Sequence, residues 1–497
     1  MIVGTTSHAG KSLITAAICR ILANRGHDVT PFKGQNMALN AYVTNTGGEI
    51  GFAQAVQSWA AKTTPRVEMN PILLKPQGDM TSQVILNGYA VGKTTASTYY
   101  QDFFVKGWQA IKDSLDILRS QYDWVVCEGA GSPAEINLKH RDLTNMRVAK
   151  YLQAPTILVV DIDRGGSFAH VVGTLQLLDP DERILIKGII INKFRGDKSL
   201  LNSGIDWLEE YTGIPVLGVI PWLNIALPAE DSLDLLERRA RKPDAQINIS
   251  IIKFPRIANF TDFDPLEAEK TVALKYIALE EDLGMPDAVI LPGTKTTVED
   301  LEALHKSGMA KQLKQYCAKG GNILGICGGF QMLGKEVRDP EYFESNLTHQ
   351  IGLDLLPMLT TIVPEKIVRQ KEVLTAFPTA GMLVSGYEIH QGVSSYLADC
   401  QILFEDPALG IVNQNKTIWG TYLHGILDNG PWRRQWLNQI RLKKGLPELP
   451  LKLNHYSQSR EFILDELAKS IEIHLDKRFQ DLIKRGYGFD NGQAINH

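Results

Sequence analysis

The run Asn322-Ile323-Leu324-Gly325-Ile326-Cys327-Gly328-Gly329-Phe330-Gln331 decides how the chain is read. An apolar strand enters a Gly-Cys-Gly turn, and a helical pattern follows from Gln331-Met332-Leu333. Glycines on both sides let a chain turn sharply without a Cβ clash, which lifts the cysteine sulfur above the end of a sheet. The helix N-terminus beside it lowers the pKa of such a thiol and offers backbone N–H groups to an oxyanion. Without the flanking glycines, a buried structural cysteine would be the better reading. Further along, a second apolar run, Ile418-Trp419-Gly420-Thr421-Tyr422-Leu423, ends in His424-Gly425. A cysteine nucleophile needs a base, usually distant in sequence and close in space. His424 is the candidate; a strand-end histidine packed in a loop is the competing reading.

The N-terminus carries a second chemistry. Ile2-Val3 leads into Gly4-Thr5-Thr6-Ser7-His8-Ala9-Gly10-Lys11-Ser12, and a helical pattern runs from Leu13 to Asn24. Strand, Gly-rich loop and helix in that order form a phosphate cradle. Gly4, Thr5 and Gly10 supply backbone N–H groups, Lys11 a point charge, and the Ser12 hydroxyl a ligand for Mg²⁺. This predicts an ATP site. The strand Trp124-Val125-Val126-Cys127 ends in Glu128, where a parallel strand usually presents a carboxylate to Mg²⁺. Glu49, after Gly47-Gly48, is a second metal candidate or a solvated acid at a helix start. Asn192, after the strand Gly188-Ile189-Ile190-Ile191, is placed to bond the adenine edge or to be a plain loop amide. Lys33, Gln35 and Asn36 end the second strand, where a lysine neutralises a phosphate or a substrate carboxylate. A snorkelling surface lysine is the alternative for Lys33.

Strands alternating with helical patterns predict βαβ units, hence an α/β chain with mostly parallel sheets in two doubly wound domains. At 497 residues one ordinary core is too small for the chain. A first domain is expected over residues 1–235 and a charged, Pro-containing linker over 236–246. A second domain with a helical C-terminal tail is expected over 247–497. A net charge of −4 leaves no electrostatic footprint for nucleic acid. No apolar run is long enough for a membrane span, and no signal-peptide pattern opens the chain. Five cysteines without metal-site spacing (Cys19, Cys127, Cys317, Cys327, Cys400) point to reduced thiols in a cytoplasm. An ATP site joined to a cysteine site that releases ammonia from glutamine defines an amide ligase. ATP activates a carboxylate as an acyl phosphate, and ammonia displaces the phosphate. Oligomeric state is left open.

The stretch from Gly325 to Gln331 resembles the Gly-x-Cys-x-Gly-x-Gln pattern of class I glutamine amidotransferases. That resemblance implies glutamine binding beside Gln331. The strand Asp287 to Leu291, followed by Pro292-Gly293-Thr294, resembles the family's oxyanion turn, which sets the Gly293 N–H beside the Gly328 N–H. Most such domains carry His-x-Glu; here the +2 position is Ile426, so the resemblance implies a Cys–His dyad or an orienting group from elsewhere. The N-terminal loop is one residue longer than the usual pattern and is similar to that of dethiobiotin synthetase-like ATPases. The whole chain resembles the cobyric acid synthase family, through Gly4 to Ser12, Phe32 to Met37, Met69 to Pro76, Glu128 to Leu138, Pro255 to Asp264 and Ser385 to His390. The resemblance implies amidation of four peripheral carboxylates of a corrinoid, adenosylcobyrinic acid a,c-diamide, with glutamine, ATP and Mg²⁺. The family often begins some residues earlier, so an upstream extension is expected to be absent here. A cobyrinic acid a,c-diamide synthase shares both domains, but the runs at Phe32 and Pro255 speak against it. A lipid II amidating ligase usually has its glutaminase on a separate chain. A partition-type switch ATPase would have no use for Cys327 and His424.

Overall fold

Among the strands, Ile186–Phe194 shows most directly why this chain builds a covered parallel sheet. Ile189, Ile190 and Ile191 are all fully buried. Ile190 joins one apolar cluster, whereas Ile189 and Ile191 join another on the opposite face. Successive strand residues point to opposite faces, so an unbroken apolar run needs helices on both sides. Each such isoleucine contributes about 1.5–3 kcal/mol on burial.

The computed structural model describes residues 1–78, 81–95, 98–99, 103–223 and 242–484. In the first half, Ile2–Gly4, Thr156–Asp161, Ile186–Phe194 and Val216–Pro221 pair in parallel, in that order. A second parallel pair, Val29–Phe32 with Trp124–Cys127, joins them through a bridge between Ile2 and Glu128. The order reverses at Ile2–Gly4. The C-terminal strand ends there gather Thr5 to Gly10, Lys33, Glu128 and Asn192 at a topological switch point. A smaller sheet of Gln35–Met37, Ile72–Gly78, Thr81–Leu86 and Tyr89–Thr95 stands beside it.

In the second half a seven-stranded sheet runs Val272–Ala278, Ile247–Lys253, Ala288–Leu291, Ile323–Ile326, Ile418–Thr421, Gly410–Val412, Gln401–Ile402. The first five are parallel and the last two antiparallel. The strands carrying Cys327 and His424 at their ends are therefore immediate neighbours, with Ile326 opposite Thr421. A long antiparallel hairpin, Met358–Leu374 with Leu383–Tyr396, lies outside this sheet.

One domain expectation is corrected. The C-terminal tail, assigned to the second domain, packs on the first. Leu464, Leu467, Ala468, Ile471, Phe479 and Ile483 share a core with Ile14, Ile18 and Leu22 of the helix Lys11–Asn24. Arg20, fully buried, reaches Glu461 at 2.5 Å, and the Asp476 N–H donates to the Leu217 carbonyl at 2.8 Å. An amphipathic helix records that it has an apolar face, not which core covers it. Most of the expected linker, up to residue 241, lies outside the described residues.

The halves also meet directly. The Ala41 N–H donates to Asn259 Oδ1 at 3.0 Å, the Phe260 N–H to Asn40 Oδ1 at 3.1 Å, and the Tyr387 hydroxyl to the Ala41 carbonyl at 3.2 Å. Ala38, Ala41, Val43 and Leu73 of the first half form one cluster with Tyr387 and Ile389 of the second.

Candidate active site

Cys327 occupies a strained turn. Its φ of 53° and ψ of −110° lie where a side-chain-bearing residue pays about 1–3 kcal/mol. The left-handed φ belongs to the cysteine itself; the glycines serve close approach. A Cβ on Gly329 would lie 1.9 Å from the Leu291 carbonyl oxygen, so the helix Gly328–Met332 can press against the neighbouring strand only without one. The Cys327 N–H donates to the Thr421 carbonyl at 2.8 Å, which ties the turn to the strand that delivers His424.

Cys327, His424, Gly293 and Gln331 line one pocket. A Cβ built on Gly293 would come within 3.2 Å of His424 Cε1 and 3.8 Å of Cys327 Cβ, so this glycine sits between the two side chains. His424 is oriented by a residue that sequence reasoning missed. Its Nδ1 donates to Asp262 Oδ2 at 2.7 Å, and the Gly425 N–H donates to Asp262 Oδ1 at 3.0 Å. Burial opposes charge on the imidazole, but Asp262 and Cys327 outweigh it, and its pKa is pushed up to about 10. Of the two possibilities left by Ile426, the orienting group from elsewhere is what the fold provides. A thiol facing an imidazole whose other nitrogen is held by a carboxylate can lose its proton and attack a carbonyl.

Gln331 is 2 % exposed, and the protein engages both ends of its amide. Oε1 accepts from the Thr297 hydroxyl at 2.9 Å, and Nε2 donates to the Tyr422 hydroxyl at 3.4 Å. Gly328 opens the helix after Cys327, and Gly293 pairs with Ala258 in a short antiparallel ladder.

At the other site, Gly10 takes a φ of 99° between loop and helix. Lys11 folds back over the loop. Its ammonium donates to the carbonyls of Thr6, Ser7 and Gly131 at 2.9, 3.1 and 2.9 Å, and its stem crosses Gly4. Thr5 is buried, with its N–H on the Val159 carbonyl at 3.0 Å. The Ser12 hydroxyl donates to Glu128 Oε1 at 2.7 Å, and Lys33 Nζ reaches the same oxygen at 3.0 Å. Gln57 donates to Glu128 Oε2. Lys33 is thus buried beside the metal candidate rather than snorkelling at the surface.

Three other expectations change. Asn192 does not present its amide to a base: Nδ2 donates to the Ala9 carbonyl at 2.9 Å, and the side chain lies against Gly10. It props the phosphate loop because its strand runs beside the loop. Glu49 is not brought to Ser12 and Glu128. It is 1 % exposed and held by Lys75 at 3.1 Å and by Lys366 of the second half. Burial works against its charge, yet the two ammonium groups win and hold its pKa down at about 2. Glu49 serves here as the ion-pair partner of two lysines, away from the Ser12 and Glu128 oxygens. Asn36 bonds Gln54 at 3.0 Å, and Gln35 accepts from the Tyr99 hydroxyl at 2.6 Å; neither joins the Glu128 cluster. Asn36 instead anchors the helix Phe52–Ala60, which carries Gln57 to Glu128.

Comparison with known proteins gives each half a domain family. Residues 1–233 match the CobQ/CobB/MinD/ParA nucleotide binding domain, and residues 248–432 match the CobB/CobQ-like glutamine amidotransferase domain. The cobyric acid synthase of Crocosphaera subtropica is 66% identical over 484 residues, 96% of this chain and 98% of that protein. That of Nostoc sp. is 63% identical over 481 residues, and that of Synechococcus elongatus 60% over 479, each across 96% of this chain and 98% of the relative. The shared length takes in both halves and their junction, and the chain belongs to the cobyric acid synthase family.

Proposed function

We propose that this enzyme converts adenosylcobyrinic acid a,c-diamide to adenosylcobyric acid, amidating four peripheral carboxylates with ammonia drawn from glutamine. One observation carries the reading: the pocket of Cys327 and His424 is walled in part by Lys75, a residue of the nucleotide-binding half. Ammonia formed there is released at the boundary of the two halves, not at a remote surface. We divide the chain at the segment between residues 223 and 247, with the tail helices returning to the first half.

His424, charged in the fold, holds the proton of the Cys327 thiol while the sulfur attacks the glutamine side-chain carbonyl, and Asp262 orients the imidazolium. The N–H of Gly328, at a helix N-terminus, and that of Gly293 face the developing oxyanion. His424 returns the proton to the leaving nitrogen, and water then frees glutamate from the thioester. Gln331 shapes the pocket floor.

In the nucleotide half, Gly4, Thr5, Gly10 and Lys11 cradle the phosphates of ATP. Ser12 and Glu128 fit Mg²⁺: both present hard oxygens, side by side at a strand end. Among the described residues no cluster of three or more His, Cys, Asp or Glu forms a metal cage. That suits an ion that keeps several waters and is bound mainly through phosphates. Bound there, it would neutralise phosphate charge. Lys33 lies where it can steady the γ-phosphate or the substrate carboxylate. A carboxylate oxygen of the corrinoid attacks the γ-phosphorus as ADP leaves; ammonia then attacks the acyl carbon as phosphate leaves. No helix among the described residues is long and apolar enough to cross a membrane. With all five cysteines free, a cytoplasmic setting is the compartment we assign.

The test is direct. Purified protein with ATP, Mg²⁺, glutamine and the diamide should yield, by mass spectrometry, a corrinoid carrying four new amides. With ¹⁸O in the substrate carboxylates, one labelled oxygen should pass to phosphate for each amide. Label found only in water would rule out the acyl phosphate.

A further inference from the structure

The pocket around Cys327 holds more charge than the thiol chemistry needs. Lys75, Lys295, Lys366 and Glu344 all line it. Lys75 and Lys366 share Glu49, which lies beneath them. Lys295 is different. It is only 7 % exposed, and its ammonium makes no hydrogen bond or ion pair among the described residues. Its backbone is fixed: it follows the turn Gly293–Thr294, and its N–H donates to the Arg256 carbonyl at 3.0 Å. The Thr294 hydroxyl and Arg256 are both bonded to the buried carboxylate of Asp300, which braces the turn. Glu344 faces the same pocket, where its carboxylate accepts the Thr297 N–H at 3.2 Å. Among the described residues it makes no ion pair with Lys295 or with another cation.

A buried ammonium and a half-buried carboxylate in one pocket, beyond ion-pair distance of each other, are each costly unless a ligand matches them. Burial holds the Lys295 ammonium below the usual lysine range and the Glu344 carboxyl above its own, against the smaller pull of each charge on the other. A ligand carrying one negative and one positive group close together would satisfy both. The head group of an α-amino acid is such a ligand.

We propose that Lys295 binds the α-carboxylate of L-glutamine and Glu344 its α-ammonium group, so that these two residues select the amide donor. The proposal rests on the reading of Cys327 as the glutamine-attacking thiol. With the head group held at Lys295 and Glu344, the side-chain amide extends towards Cys327, beside the same Gly293 turn. Lys75 and Lys366 stay with Glu49 and form the wall.

Two amides dissect the head group: γ-aminobutyramide lacks the carboxylate, and glutaramate lacks the ammonium. For the wild-type enzyme, kcat/KM for each should fall about 10- to 100-fold below that for glutamine, the loss of one charge-assisted contact. Lys295→Met should erase the gap between glutamine and γ-aminobutyramide but keep the gap to glutaramate. Glu344→Gln should do the reverse, and Lys295→Arg should restore part of the first gap. Labelling of Cys327, followed by mass spectrometry, separates this proposal from the reading beneath it. The diazoketone glutamine analogue diazo-oxo-norleucine carries the full head group; its diazo carbon takes a proton, and the Cys327 sulfur bonds to it as dinitrogen leaves. Iodoacetamide has no head group. If the diazoketone fails to label Cys327 in the wild-type protein, the glutaminase reading itself fails. If it labels Cys327, the ratio of diazoketone to iodoacetamide rates should drop about 10- to 100-fold in Lys295→Met. An unchanged ratio overturns the anchor. Should Lys295→Met not fold, seen as loss of labelling by both reagents, the wild-type comparison decides. An enzyme that hydrolyses γ-aminobutyramide as readily as glutamine has no carboxylate anchor.

Discussion

The two sites are built on opposite principles. Around Cys327 the parts are fixed by buried scaffold: a left-handed cysteine, glycines with no room for a Cβ, and an imidazole held by Asp262 at 2.7 Å. Around Lys11 the parts are held by one another. The Lys11 ammonium bonds three backbone carbonyls, and Glu128 accepts from Ser12, Lys33 and Gln57. The first arrangement suits a reaction whose attacking atom must not move. The second suits a site whose polar groups exchange partners when a charged substrate arrives. The helix Phe52–Ala60 and the strand Glu49–Gly51 that leads into it reach one site each. Gln57 on the helix reaches Glu128, and Glu49 on the strand reaches Lys366 on the wall of the Cys327 pocket.

If the sites are so separated in construction, they should fail separately. Cys327→Ser should lower glutamine-dependent amidation by roughly 10⁴-fold or more, the scale for a lost nucleophile. Amidation with free ammonia should continue at close to the wild-type rate. Loss of both would mean that the fixed site supports the other half structurally. Lys11→Ala is the complementary break. It should lower amidation with either nitrogen source by about 10²–10³-fold, the range for removing one electrostatic donor. Glutamine hydrolysis, measured as glutamate release without ATP, should persist at least in part.

The contrast also explains what the sequence reveals. Cys327 and His424 are legible because each sits at the end of an apolar strand and beside glycine, a local pattern. That the two strands are neighbours follows from topology and needed the fold. Asp262 is not legible by any spacing, since it comes from a short turn, Phe260–Phe263, in another part of the chain. The only hint is its place in the Pro255 to Asp264 run. Glu49 and Asn192 were misassigned for one physical reason. A polar residue at a strand end states that it has polar business, but the partner is set by tertiary placement. The same holds for the C-terminal helices, whose apolar faces fit the first core and not the one preceding them in sequence.

Asp262→Asn sharpens the comparison within the fixed site. An asparagine keeps the shape but not the charge, so the imidazole loses the group that orients it and raises its pKa. Glutamine hydrolysis should fall by about 10²-fold or more, in the range for an impaired general base. The pH dependence has a definite sign. His424 has a folded pKa raised from 6.5 to about 10. Its charge therefore contributes stability that is fully present below pH 6.5 and is lost as pH rises through about 10. The unfolding midpoint of Asp262→Asn should lie furthest below wild type at the acid end of that window, and the gap should narrow towards its alkaline end. A gap that widens with pH would mean that His424 is neutral in the fold.

Asn192→Ala should give the smallest effect and the finest distinction at the exchangeable site. Among the described residues the side chain makes one hydrogen bond, to the Ala9 carbonyl, and packs against Gly10, whose φ of 99° shapes the loop. Losing one such bond costs about 1 kcal/mol, so KM for ATP should rise roughly fivefold. Glutamine hydrolysis should not change. Two roles for Asn192 then differ in a measurable way. A residue that reads the adenine edge would, when removed, weaken ATP and leave GTP untouched, which erodes the preference between them. A residue that props the phosphate loop acts on the triphosphate common to both. ATP and GTP should therefore weaken by the same factor in Asn192→Ala, and a change in their ratio would return Asn192 to the base.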